Sequence, residues 1–172
     1  MSKCLSVVAV LACLTSTAAM AETQWRIGAN LGSIHIAPQQ EFNSFNPGIF
    51  VSATFRADQR FQYGFQAGGY FNSYNARTLY ALSFADWRIA GIGNAELRMG
   101  GFAGFFEYPA LSNRARGWGW PTMGDYVLAI GPSVKLRMQN GVDFSVGFLP
   151  VPGKATKGVF TFQASIPFGG RH

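Results

Sequence analysis

Two distant stretches of this chain carry side chains that could act together on an acyl group. His35 is one of only two histidines, and Asn72-Ser73 follows at the end of a later apolar, aromatic run. An imidazole can act as a general base, and a serine hydroxyl can act as a nucleophile or a positioned donor. An asparagine amide can orient the imidazole or donate to an oxyanion. We therefore expect His35, Asn72 and Ser73 to form a catalytic site for acyl transfer, provided that the fold brings them together.

The same residues also fit a simpler interpretation. Residues 72–75, Asn-Ser-Tyr-Asn, are typical of a turn, because Asn and Ser side chains hydrogen-bond to nearby backbone groups. Residues 46–48, Asn-Pro-Gly, are typical of a turn as well. His35 on this interpretation is a histidine of a surface loop. The choice depends on the strands that would carry these residues.

The first 21 residues predict an exported protein. Lys3 precedes an apolar run over residues 5–14, and Ala19-Met20-Ala21 forms a small-residue cleavage site. This order is typical of a secretory signal peptide, and the segment is too short to span a membrane. We assign residues 1–21 to a removed signal peptide and residues 22–172 to one barrel domain. The alternative is a lipoprotein cleavage site before Cys13.

Composition narrows the range of partners. Both cysteines, Cys4 and Cys13, lie in the signal peptide, so we expect no disulfide, no metal site and no cofactor in the mature chain. The net charge of +6 becomes +5 once Lys3 is removed, which suits an anionic lipid surface. The basic residues are not clustered, which argues against nucleic acid as a partner of an exported protein.

Alternation of apolar and polar residues dominates the mature sequence and predicts strands. In the last such stretch, Phe160, Phe162, Ile166 and Phe168 share one face, while polar residues occupy the other. Eight segments show this pattern, each about the length of a tilted strand that crosses a bilayer. They cover residues 24–35, 47–56, 61–72, 78–89, 95–107, 127–138, 141–149 and 158–168.

Short and long connections alternate between these segments, as do the periplasmic turns and outer loops of outer-membrane barrels. Because a strand in lipid cannot leave its edge groups unpaired, we predict an all-β protein, a closed eight-stranded antiparallel transmembrane β-barrel. Charged side chains near the short turns would pair inside its lower half. The alternative is a soluble barrel of lipocalin type, with the apolar face turned inward.

This layout places His35 and Ser73 at the outer rim, on strands that are not neighbours. Strict alternation points Asn72 inward and both His35 and Ser73 outward, so a bulge or a strand end must redirect them.

Pro132 has no amide hydrogen to donate to a neighbouring strand, which predicts a weak seam between the sixth and seventh strands.

An acyl chain would also need a lined slot and residues that frame its head. We expect an apolar upper interior lined by Phe50, Leu82 and Phe102. The residues expected to frame the site or bind lipid phosphate are Tyr70, Arg77 and Tyr80.

Ordered motifs along the mature chain resemble the outer-membrane lipid A palmitoyltransferases, the PagP family. His35, with its polar loop and residues 46–48, resembles the family's first loop and catalytic histidine. Residues 71–75, Phe-Asn-Ser-Tyr-Asn, resemble its F-x-D-S-W-N stretch, with Asn72 in place of the family's Asp. Pro132 and Pro150 resemble a proline pair that opens a lateral lipid gate. The resemblance implies palmitoyl transfer from a phospholipid to lipid A.

The family's amphipathic N-terminal helix has no counterpart here. The lipid A deacylases of the PagL family use a His-x-Ser motif with a glutamate, and His35-Ile36-Ala37 lacks that serine.

The main expectation is a monomeric lipid A-modifying enzyme in the outer membrane of a Gram-negative bacterium, with lipid A and phospholipid as partners. The alternatives are a lipid A deacylase and a non-enzymatic structural, adhesive or stress-protective barrel. Asn72 in place of Asp keeps the non-enzymatic alternative open. We expect no pore, because side chains fill the interior of an eight-stranded barrel.

Overall fold

A computed structural model describes residues 23–56, 60–117, 119–151 and 156–168, and the predicted signal peptide lies outside these residues. The described elements are, in chain order, β1 (Thr23–Ile36), β2 (Gly48–Arg56), β3 (Phe61–Phe71), β4 (Arg77–Ile92), β5 (Ala95–Glu107), α1 (Pro109–Gly117), β6 (Thr122–Met123), β7 (Tyr126–Met138), β8 (Asp143–Pro150) and β9 (Gly158–Pro167).

The strands form a closed ring in which each strand is antiparallel to its neighbours. The order runs from β5 through β4, β3, β2, β1, β9 and β8 to β7, and the pairing of β5 with β7 closes the ring. The two-residue β6 pairs only with β7 and stands outside the ring. The predicted closed eight-stranded antiparallel barrel is therefore confirmed. The largest difference in strand limits is at β4, which continues to Ile92 instead of ending at residue 89.

The outer face of the ring is apolar. Large apolar side chains are exposed on every side of it, for example Trp25 on β1, Ile49 on β2, Leu79 on β4 and Ile130 on β7. A closed barrel with such a band is the architecture of an outer-membrane protein, because each backbone group is paired while apolar side chains meet lipid.

Four side chains on β9 and just beyond it were predicted to face lipid, and three of them are exposed. Phe160, Ile166 and Phe168 are exposed, whereas Phe162 shares the face of Phe160 but is half-buried. No helix among the described residues is long and apolar enough to cross a membrane.

Ion pairs fill the lower half of the barrel, as the sequence predicted. Asp143 accepts from Arg137 at 2.9 Å and lies 3.2 Å from Arg26. Asp86 accepts from Lys135 at 2.9 Å and also from Arg98. Both acids are buried, and each faces two cations, so this layer forms a satisfied floor across the lumen.

A β-bulge in β1 changes which side chains face the lumen. The register between β1 and β9 shifts between Asn30 and Gly32, so Leu31 is an extra residue, and its side chain is exposed. Before the bulge Arg26 points inward; after it Ser33 is buried and His35 lines the lumen. Strict alternation was therefore wrong for His35, because the bulge exchanges the two faces beyond Leu31.

The longest outer connection contains a helix that the sequence interpretation did not include. Helix α1 begins at Pro109, a favourable first helical residue, and carries Arg114 and Arg116 in its last turn, where cations stabilise a helix. Ser112 and Ala115 are buried on one side of this helix. The alternation pattern assigns residues 108–126 to a connection between strands and does not predict this helix.

Candidate functional site at the outer mouth of the barrel

A cavity of about 200 Å³ runs inside the barrel from the outer mouth to the ion-paired floor. All eight strands of the ring contribute to its lining, and Leu111 and Arg114 of α1 lie over its mouth. Phe50, Leu82 and Phe102 line it, as predicted.

The lining has an apolar wall and a polar wall. The apolar wall is formed by the adjacent strands β4, β5 and β7, through Leu82, Phe84, Phe102, Phe106, Val127 and Ala129. The polar wall is formed mainly by β9, β1 and β2, through Asn30, Ser33, Ser52, Thr54, Thr161, Gln163 and Ser165. An occupant with a hydrocarbon chain can therefore lie against one side of the lumen.

Three polar side chains from three separate segments meet at the mouth, and we call them the mouth cluster: Ser33, Asn46 and Ser73. The Ser33 hydroxyl donates to Asn46 Oδ1. The Ser33 and Ser73 hydroxyl oxygens lie 3.3 Å apart, and Asn46 Nδ2 donates to Ser73 Oγ at 3.5 Å. The Asn43 amide also donates to the Ser73 carbonyl at 3.2 Å, which fixes the first outer loop against the turn after β3.

His35 lies on the same face of β1 as Ser33 and also lines the cavity. Its ring stacks on Phe42 with 4.0 Å between centroids and 5° between planes. Phe42 in turn meets the edge of Tyr74 at 5.5 Å. The structure thus places His35 and Ser73 in one cavity, but no hydrogen bond joins their side chains among the residues it describes.

Asn72 does not take the role expected of it. Its Oδ1 accepts from the Tyr74 amide at 2.9 Å and the Ala76 amide at 3.1 Å, and its Nδ2 donates to Thr78 Oγ1 at 3.0 Å. The side chain is buried, and these turn contacts occupy it. The geometry therefore supports the simpler interpretation of Asn72 as a turn residue and gives no support for an orienting contact with His35.

The three residues expected to frame the site separate into two groups. Tyr70 and Tyr80 line the cavity, and the Tyr70 side chain lies beside that of Tyr108, just before the helix. Burial raises the pKa of Tyr108, so its hydroxyl is neutral. Gln66 donates to the Tyr80 hydroxyl at 2.7 Å. Arg77 is exposed and does not line the cavity, so it is not placed to frame it.

The pairing of β7 with β8 is incomplete at its outer end, where the seam was predicted. β7 pairs with β8 only from Ser133 to Arg137, whereas it pairs with β5 along its whole length. The Leu128 amide donates to the Pro121 carbonyl, on the side of β7 away from β5. Amides of a strand alternate in direction, so position 132, four residues later, faces the same side. Proline has no amide hydrogen, so β7 lacks a donor toward β8 at this position.

The seam has limits above and below. A Cβ on Gly131 would lie 1.9 Å from the carbonyl oxygen of Phe148, so β7 and β8 touch there and only glycine fits. Above, β6 pairs with Tyr126 and Val127, and the Trp120 indole donates to the Leu128 carbonyl. The seam is therefore short: it lies beside Ile130, above the contact at Gly131, and Pro150 ends β8 near it.

Sequence reasoning missed three residues of the site. Ser33 stands two residues before His35, so any conformation that turns one inward turns the other inward as well. Asn46 was interpreted as a turn residue, although its side chain joins the two serines. Arg114 lies in a connection between predicted strands, and its place over the cavity depends on a helix that the sequence pattern does not predict.

No family model matches this chain, and no curated protein matches it. Among solved structures it is similar to the outer membrane protein Ail of Yersinia pestis in a phospholipid bilayer nanodisc, with a TM-score of 0.45 and 11% identity over 86% of this chain and 99% of that one. It is also similar to Neisserial surface protein A (NspA), with a TM-score of 0.47 and 11% identity over 85% and 96% of the two chains.

At these values the two likenesses carry no inference about the site. They agree with the general description of a small outer-membrane β-barrel and give no support for the lipid A palmitoyltransferase family itself.

Proposed function

We propose that this outer-membrane barrel takes one acyl chain of a membrane lipid into its cavity and transfers that chain to lipid A at the outer mouth. The observation that carries the proposal is the continuity of the cavity. One end of it meets the mouth cluster and His35, and its apolar wall includes Val127 and Ala129 on β7, the strand that borders the seam.

The chemistry assigns a role to each group at the mouth. His35 takes the proton of an acceptor hydroxyl while that oxygen attacks the carbonyl carbon of the donor ester. Asn46 Nδ2 and the Ser73 hydroxyl are donors for the oxyanion that forms. The bond from the carbonyl carbon to the glycerol oxygen then breaks, and the departing oxygen takes the proton back from the imidazolium.

A second candidate is a barrel without enzymatic activity that has a structural, adhesive or stress-protective role. The turn contacts of Asn72 favour it, because they leave His35 without a polar side-chain partner among the described residues. Only the stack on Phe42 orients the His35 ring among the described residues, and no hydrogen bond positions it for proton transfer.

Mass spectrometry of lipid A separates the two candidates. Cells that produce the protein should show lipid A with an additional acyl chain, and His35→Ala should lower that product by about 10²–10⁴-fold, the usual contribution of a general base. Ile34→Ala is the matched control, because Ile34 is the outward-facing neighbour on β1. Identical lipid A with and without the wild-type protein would reject acyl transfer and leave the non-enzymatic barrel.

Binding of the chain is testable without turnover. Ala129→Phe should fill the cavity beside its apolar wall and lower the binding of a single-chain lipid by at least about tenfold, since the slot loses its volume. Val134→Phe, on the lipid-facing side of the same strand and in its fully paired part, is the control and should bind normally. Equal binding by both variants would show that the chain does not enter the barrel.

A further inference from the structure

The cavity carries one full positive charge that no acid neutralises. Its lining contains six side chains with a charge or an imidazole among the described residues: Arg26, His35, Asp86, Arg114, Lys135 and Asp143. Four of these form ion pairs in the floor, Arg26 with Asp143 at 3.2 Å and Lys135 with Asp86 at 2.9 Å. Arg114 has no ion pair and no hydrogen bond to any residue that the structure describes.

The helix that carries Arg114, whose side chain is exposed, is joined to the barrel at the mouth. Leu111, one turn earlier on the same face, also lines the cavity, and Ala115 is buried. Tyr108, immediately before the helix, lies beside Tyr70 of β3 and donates its amide to the Asp125 carbonyl at 2.7 Å. These contacts join the helix to the barrel at its beginning.

The helix dipole alone does not account for Arg114. A cation in the last turn stabilises any helix, but Arg116 provides that charge as well. Arg116 turns away from the cavity and donates to Thr122 Oγ1 at 3.4 Å and to the Gly124 carbonyl at 3.3 Å. Two arginines of the same turn thus have different surroundings, one bonded to the chain and the other directed over the cavity.

An unmatched guanidinium above an apolar wall fits an amphiphile with an anionic head. We propose that Arg114 binds the phosphate of the lipid whose acyl chain occupies the cavity, an inference that rests on the acyl-chain binding proposed above. A guanidinium offers two parallel donors to a phosphate, and the neutral hydroxyl groups of the mouth can complete its hydrogen bonds. The attached chain makes a lipid phosphate, rather than free phosphate, the ligand.

The test compares two single-chain probes with the same tail. The intact barrel is placed in nanodiscs of zwitterionic phosphatidylcholine, and radiolabelled hexadecyl phosphate or hexadecanol is added, with empty discs subtracted. Wild-type protein should bind hexadecyl phosphate about tenfold more tightly than hexadecanol, as expected of a charge-assisted hydrogen bond. Arg114→Ala should remove this preference while hexadecanol binding is unchanged, and Arg114→Glu should reverse it.

Arg116→Ala is the matched control, because it removes the same charge from the same helical turn and should keep the preference. An equal loss in both variants would mean general attraction to a basic surface and would overturn the proposal. Competition by inorganic phosphate as effective as that by hexadecyl phosphate would assign the site to free phosphate and also overturn it. If neither probe binds the wild-type protein, acyl-chain binding itself fails. If both bind equally well, only the phosphate contact is rejected.

Discussion

The lower and upper halves of this barrel treat their interior polar groups differently. In the lower half, Asp86 and Asp143 each meet two cations, and β7 pairs fully with both neighbours. In the upper half, neutral side chains of the mouth cluster bond to one another, and β7 loses its partner β8 above Ser133. The buried ion pairs and the complete strand pairing should therefore make the floor the more stable half and the mouth the less stable one.

The largest expected effect is in the floor. Asp86→Asn should destabilise the barrel by about 3–5 kcal/mol, because Arg98 and Lys135 would keep buried charges without their acid. Urea unfolding in lipid vesicles measures it. The control is Glu96→Gln, whose partly exposed carboxylate should contribute about 0–1 kcal/mol. Equal losses of unfolding free energy in the two variants would contradict the claim that the buried ion pairs of the floor dominate stability.

A smaller loss is expected in the turn that borders the mouth. Asn72→Ala removes three hydrogen bonds, at about 1 kcal/mol each, so the same unfolding experiment should show a loss of about 2–3 kcal/mol. Asn72→Asp keeps both bonds accepted by Oδ1 and should lose less than half as much. A variant that is as stable as wild type but has altered lipid A products would instead return Asn72 to the catalytic site.

The smallest effect belongs to the upper limit of the seam. Trp120→Phe removes the indole donor to the Leu128 carbonyl, a loss of about 1 kcal/mol that should act locally. Amide hydrogen exchange near Leu128 should become about fivefold faster, while exchange at residues 133–137 stays unchanged. Trp87→Phe, on the outer surface of β4, is the control. Faster exchange throughout β7 would show that the two halves are not independent.

The fold was predictable because the strands of a membrane barrel have a recognisable sequence pattern. Alternation, strand length and the order of short and long connections all follow from lipid outside and a filled lumen inside. Helix α1 was not predictable in this way, since its short amphipathic pattern lies in an outer loop that lipid does not constrain. The charged floor was found because charged side chains cluster at the same strand ends.

The site was only partly predictable. His35 and Ser73 were chosen by residue type, and the cavity contains both. Asn72 was chosen for the same reason, but its side-chain oxygen accepts hydrogen bonds from backbone amides of its own turn. The sequence alone does not show whether such a side chain bonds to its turn or to a site. Asn46 was overlooked because its bonds to Ser33 and Ser73 depend on a loop folding over the rim.

The bulge at Leu31 makes the chemistry of the mouth depend on the length of β1 as much as on its composition. Deleting Leu31 should restore regular alternation and leave Ser33 and His35 facing inward, since the ladder with β9 already passes over that residue. Inserting one more residue while the single bulge is kept would instead direct the isoleucine at position 34 inward. A one-residue insertion beside this bulge is therefore a more direct route to a different mouth than a substitution, and relatives that lack one residue here should be aligned with Leu31 as the variable position.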